Sequence, residues 1–94
     1  TVNILHAEDA NTAWKYFYNK HIDLILMDIR LKGENGLDLT QRIRKINPNI
    51  PIIAQTAYAL SDDRRKCLEA GCNDYITKPI EVETLFEKLN RFFS

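Results

Sequence analysis

The chain has 94 residues, enough for one small domain, and is 45% hydrophobic, which supplies a core with little to spare. Its 13 basic and 13 acidic residues cancel, so no net field draws it to nucleic acid or to an anionic membrane surface. Charges interrupt every apolar run before bilayer length.

Residues 2–7 read as a strand, followed by Glu8-Asp9-Ala10-Asn11, whose side chains can cap a helix. Ala13, Trp14, Phe17 and Tyr18 then recur at helical spacing. Residues 22–27 make the most apolar strand, closed by Asp28. Such a strand reads as the buried centre of a parallel sheet. A polar loop over residues 30–35 ends at Gly36, after which Leu39, Ile43 and Ile46 mark a helix face. Pro48 stops that helix, because proline disfavours helical geometry at the residue before it. The basic clusters Arg42/Arg44/Lys45 and Arg64/Arg65/Lys66 read as solvated helix faces.

Residues 50–55 form the next strand, ending at Thr56. Ser61-Asp62-Asp63 then caps a helix that turns Cys67 and Leu68 inward and stops at Ala70-Gly71. A short strand at 75–77 leads into Lys78-Pro79. Val82, Leu85, Phe86, Leu89, Phe92 and Phe93 complete an amphipathic last helix. The two cysteines, Cys67 and Cys72, are too few for a disulfide framework and lack a histidine at zinc-site spacing. Reduced thiols in a reducing, cytoplasmic setting are expected.

Strand–helix alternation of this kind argues for a parallel sheet with helices on both faces. Chemistry in such sheets collects at the carboxyl ends of the strands. Asp28, Thr56 and Lys78 each end a different strand, so a carboxylate, a hydroxyl and an ammonium are expected to meet at one edge. Singly, each has a plainer explanation: a loop carboxylate, a β-preferring threonine, a solvated turn lysine. Their joint order overrides those defaults.

The segments Leu24-Ile25-Leu26-Met27-Asp28, residues 33–37, residues 51–57, residues 70–75 and Thr77-Lys78-Pro79 resemble, in order and spacing, the receiver domain of two-component response regulators. The resemblance implies an α/β fold: a flavodoxin-like (CheY-like) three-layer parallel sheet, here truncated to four strands and four helices. Residues 1–94 would be a single receiver domain that begins at the family's second strand. By the same resemblance Asp28 is the phosphoryl acceptor, Thr56 the switch hydroxyl, Lys78 the phosphate-contacting lysine and Tyr75 the aromatic switch. Mg²⁺ would be held by the Asp28 carboxylate and the backbone carbonyl of Arg30. Arg30 and Tyr58, two residues beyond acceptor and switch hydroxyl, fall where the family tunes phosphate lifetime. Their bulk is expected to hinder water. The Lys78–Pro79 bond is expected cis, as receivers usually hold it.

Physical chemistry supports these roles independently. An aspartate can attack phosphorus if cations offset the repulsion between anions, and a hard ion with oxygen ligands or a lysine supplies that charge. A threonine drawn to the new phosphoryl group would couple local charge to a surface change.

The sequence also departs from the family. The first strand and helix, with the acidic pair that holds Mg²⁺, have no counterpart; Glu8 and Asp9 lie one helix before the Asp28 strand and read as capping and surface residues. Metal binding and phosphorylation are therefore expected to be weakened. The missing strand would leave a slot with unpaired backbone groups. Closure of the sheet, a strand from a second molecule, or a longer parent chain would each answer it. The last is favoured, with a dimer or strand exchange as its companion. Leu31-Lys32 stands where the family commonly has Met-Pro.

Three functions compete. The first is a phospho-acceptor served by a histidine kinase or phosphotransfer protein, catalysing its own phosphorylation and hydrolysis without enzymatic turnover on another molecule. The second is a pseudo-receiver that docks a partner without phosphorylation. A small flavodoxin-like enzyme or nucleotide binder is weakest, since no glycine-rich phosphate loop follows a strand. Residues 54–60 with Lys78-Pro79-Ile80 resemble receivers attached to hybrid histidine kinases.

Overall fold

Apolar strands alternate with amphipathic helices, and the computed structural model assembles them into one parallel sheet. It describes residues 2–32, 35–57 and 61–93, the side chains of 31–32 and 61–63 excepted. The elements are β1 (Ile4–Asp9), α1 (Ala10–Asn19), β2 (Leu24–Lys32), α2 (Gly36–Ile46), β3 (Ile52–Thr56), α3 (Ser61–Ala70), β4 (Asp74–Thr77) and α4 (Val82–Phe93). Strand order is β1-β2-β3-β4, all parallel, with Leu5 opposite Ile25, Met27 opposite Ala54 and Thr56 opposite Thr77.

Alternation along the strands divides the core in two. Leu5, Ala7, Ile25, Met27, Ile52 and Ala54 pack under Ala13, Leu39, Ile43 and Cys67 of α1, α2 and α3. Leu24, Leu26, Ile53 and Ile76 turn to the other face, under Leu85, Leu89 and Phe92 of α4. This is the three-layer α/β arrangement expected. Local chemistry fixes the helix starts: Asp9 accepts the Thr12 N–H at 3.2 Å, and Asn35 accepts the Leu37 N–H at 2.7 Å. Glu8 is exposed and meets His6 at 3.1 Å. Both acidic residues thus act at the surface and cap, as read. The capping expected of Ser61, Asp62 and Asp63 falls on side chains outside those described.

The expected slot does not exist. The chain takes the first of the three outcomes: β1 pairs directly with β2, Ile4 opposite Leu24 through Ala7 opposite Met27. Closure gives both strands backbone partners, which buried N–H and C=O groups require. β2 also runs four residues past Asp28, so the acceptor candidate closes the β2–β3 ladder, opposite Gln55, rather than the strand itself.

Three outward-facing apolar groups correct the sequence reading. Leu68 is exposed while its neighbour Cys67 is buried, because the buried seam among the described side chains of α3 is Cys67 and Ala70. Ile46 is exposed in the last turn of α2. On α4, Val82, Phe86 and Phe93 face outward and no residue is fully buried. A single helix on that face meets the sheet along one stripe, Leu85, Leu89 and Phe92.

Arg44 overturns its reading as a solvated side chain. Its guanidinium donates to the carbonyls of Gly71, Asn47 and Ile50 and to Oδ1 of Asn73. Asn73 in turn exchanges bonds with Ile52, accepting its N–H at 2.8 Å on Oδ1 and donating its own N–H to the Ile52 carbonyl. The end of α2, the entry to β3 and the α3–β4 turn are thereby tied together. Burial pulls Arg44 below the ordinary arginine range. Gly71 adopts φ +114°, the left-handed geometry that ends α3.

Candidate functional site

At the opposite, carboxyl edge of the sheet, Asp28 is 15% exposed and fully engaged. Its Oδ1 accepts the Arg30 backbone N–H at 3.0 Å, and its Oδ2 accepts the Lys78 ammonium at 2.6 Å. Lys78 follows β4, and its N–H donates to the Thr56 carbonyl at 2.9 Å, holding the β4 exit against the end of β3. The Lys78–Pro79 bond is cis, as expected. Because β3 lies between β2 and β4, the Lys78 side chain crosses the end of β3 to reach Asp28.

Thr56 is buried, and with Asp28, Ile29, Arg30, Gln55, Ala57 and Lys78 it lines a cavity of about 190 Å³. The structure thus brings Asp28, Arg30, Thr56 and Lys78 together. A wider groove of about 540 Å³ runs between β1 and α1, remote from this cluster. Gly36 backs the site: a Cβ there would collide with the Asp28 carbonyl and lie 2.9 Å from Ile29 Cα. Only glycine lets the start of α2 press this closely on β2.

Tyr75 stands apart from the cavity. It packs against the larger core cluster, with the Arg64 guanidinium and the Lys88 ammonium each 5.7 Å from its ring centre. Neighbouring Asp74 accepts Lys88 at 3.0 Å and Arg91 at 3.4 Å, binding α4 to β4. Tyr58, expected to tune phosphate lifetime, lies outside the described residues.

The fit to Mg²⁺ is poor. Of the expected ligands the chain offers the Asp28 carboxylate and the Arg30 carbonyl, against the six oxygens an octahedral ion takes. Glu8 is engaged with His6 and Asp9 with Thr12. Among the described residues no group of three or more His, Cys, Asp or Glu is placed to hold a metal.

Among the cavity residues to which sequence reasoning gave no role, Gln55 is the polar one. Gln55 is 1% exposed, and its Nε2 has no hydrogen-bond partner among the described residues. The signal was an amide within the apolar strand run before Thr56.

Comparison with known proteins agrees with this geometry. Residues 1–90 match the response regulator receiver domain family. The hybrid signal transduction histidine kinase I of Dictyostelium discoideum is 43% identical over 97 residues, covering 94% of this chain and 6% of that protein. Sensor histidine kinase RcsC of Escherichia coli K12 is 33% identical over 86 residues, covering 92% of this chain and 9% of RcsC. The chain therefore spans under a tenth of either kinase. Among solved structures, the receiver domain of the TMAO respiratory system response regulator TorR superposes with a TM-score of 0.87 at 28% identity, covering 99% of this chain and 97% of that one. No helix among the described residues is long and apolar enough to cross a membrane.

Proposed function

The chain belongs to the response regulator receiver domain family, and from that premise we propose that it accepts a phosphoryl group on Asp28 from a phosphohistidine donor. The observation that carries the reading is the 2.6 Å contact between Lys78 and Asp28 at the mouth of a cavity that Thr56 also lines. Lys78 offsets the charge of an incoming phosphoryl group, which otherwise repels a carboxylate nucleophile. An Asp28 oxygen bonds to phosphorus as the phosphorus–nitrogen bond of the donor breaks, and the imidazole leaves with its electron pair. Water later attacks the same phosphorus, releasing inorganic phosphate and restoring the carboxylate.

Thr56 donates its hydroxyl to a phosphoryl oxygen and draws its loop inward. Tyr75 then repositions at the β4 surface between α3 and α4, which becomes the altered docking face. Arg30 and Tyr58 screen the phosphorus from water and lengthen the phosphorylated lifetime. The domain is residues 1–94 of a larger signalling protein of hybrid-kinase type, cytoplasmic, with a histidine kinase or phosphotransfer protein as partner. It is an acceptor, not an enzyme acting on a separate substrate. With Asp28 and Arg30 as its ligands, Mg²⁺ binding is weak.

A second reading is a pseudo-receiver that docks its partner unphosphorylated, its Asp28 carboxylate already met by Lys78 and the Arg30 N–H. Incubation with a ³²P-labelled phosphohistidine protein separates the two. Label passing to the wild-type chain and not to Asp28→Asn supports phosphotransfer; stable complex formation without transfer supports the pseudo-receiver.

A further inference from the structure

We infer that Gln55 is an additional phosphoryl-binding residue, its side-chain amide placed beside Asp28 to donate to the group carried there. The inference rests on Asp28 being the acceptor. Asp28 and Gln55 are register partners on adjacent parallel strands, so both side chains leave the same face of the sheet about 4.8 Å apart. Both line the same cavity of about 190 Å³. Gln55 is 1% exposed and its amide nitrogen has no partner among the described residues. Buried polar atoms are nearly always paired, because an unmet donor keeps its full desolvation penalty.

The count of donors and acceptors explains why the amide is left over. The Asp28 carboxylate is met by the Arg30 N–H on one oxygen and by Lys78 on the other. Of the other side chains on that face of the sheet, Leu24, Leu26, Ile53 and Ile76 offer no acceptor, and the Asp74 carboxylate is engaged by Lys88 and Arg91 of α4. A phosphoryl group on Asp28 brings three further oxygens into the cavity. Donors then exceed acceptors no longer, and the Gln55 amide gains a charged partner, the stronger class of hydrogen bond.

Beryllofluoride, a non-covalent phosphoryl mimic, tests this by ¹⁹F NMR titration in excess Mg²⁺. Gln55→Leu and Gln55→Met keep the side-chain volume and remove the donor. Each is expected to bind about tenfold more weakly, with a urea midpoint no lower than wild type. Gln55→Glu, which places an acceptor where the donor stood, binds more weakly still. Unchanged affinity in the Leu and Met variants, whatever their midpoints, overturns the role of Gln55; loss of binding in Asp28→Asn would then show the acceptor reading intact. If wild type and Asp28→Asn behave alike, the acceptor reading and the role of Gln55 fall together.

Discussion

The two ends of this sheet handle buried polar groups in opposite ways. At the amino end Arg44 spends its guanidinium on three carbonyls and an asparagine oxygen. At the carboxyl end a carboxylate and an ammonium face a cavity, and the Gln55 amide nitrogen has no partner among the described residues. The first arrangement is finished and stabilises the fold. The second keeps hydrogen-bonding capacity in reserve, which is what a site that must accept a charged group needs. On the proposed function one end therefore governs stability and the other reactivity, and substitutions should separate the two.

The largest expected effect on stability is at the amino end. Arg44→Met takes the donor from three carbonyls and the Asn73 oxygen and should cost about 3 kcal/mol by urea denaturation, while the fraction of folded protein that accepts phosphate stays unchanged. A comparable loss of phosphoryl uptake in the folded fraction would break the comparison.

Next in size is a pH effect at Cys72, which packs beside Thr40 and Arg44 at the same end. Burial, opposed by the Thr40 hydrogen bond, pushes its thiol up from 9.0 to about 11. The folded state thus holds a proton that the unfolded state gives up. That stabilisation is complete below pH 9 and is lost as pH rises through about 11, a fall of order 2 kcal/mol. Cys72→Val should flatten this limb of the stability–pH curve; an identical alkaline fall in the variant would assign it elsewhere.

The smallest stability effect is expected at the carboxyl end. Lys78 is 42% exposed, so its ion pair with Asp28 contributes about 1 kcal/mol or less. Lys78→Ala should barely move the urea midpoint yet sharply slow phosphorylation by acetyl phosphate. A large stability loss with unaltered phosphorylation would reverse the roles of the two ends.

How much was legible in the sequence follows the same division. Asp28, Thr56 and Lys78 could be read because a parallel sheet gathers strand ends on one edge, so order along the chain predicts proximity in space. Arg44 could not, since its partners Gly71 and Asn73 lie 27 and 29 residues away and nothing local in the sequence distinguishes it from Arg42 and Lys45. Cys67 and Leu68 adjoin on a helix with little apolar material, and only the packing of α3 decides which turns inward. The pairing of β1 with β2 was one of several outcomes because strand partners are chosen by tertiary contact, not by strand pattern. Gln55 was hidden by its strand: an amide amid apolar residues acquires meaning once Asp28 is seen opposite it.

Borohydride trapping addresses the central claim most directly. The chain is incubated with acetyl phosphate, reduced with borohydride, which converts an acyl phosphate to homoserine, and mapped by peptide mass spectrometry. Homoserine at position 28, absent from Lys78→Ala under the same exposure, is the predicted result. Reduction at another carboxylate, or equal trapping at position 28 without Lys78, would contradict it.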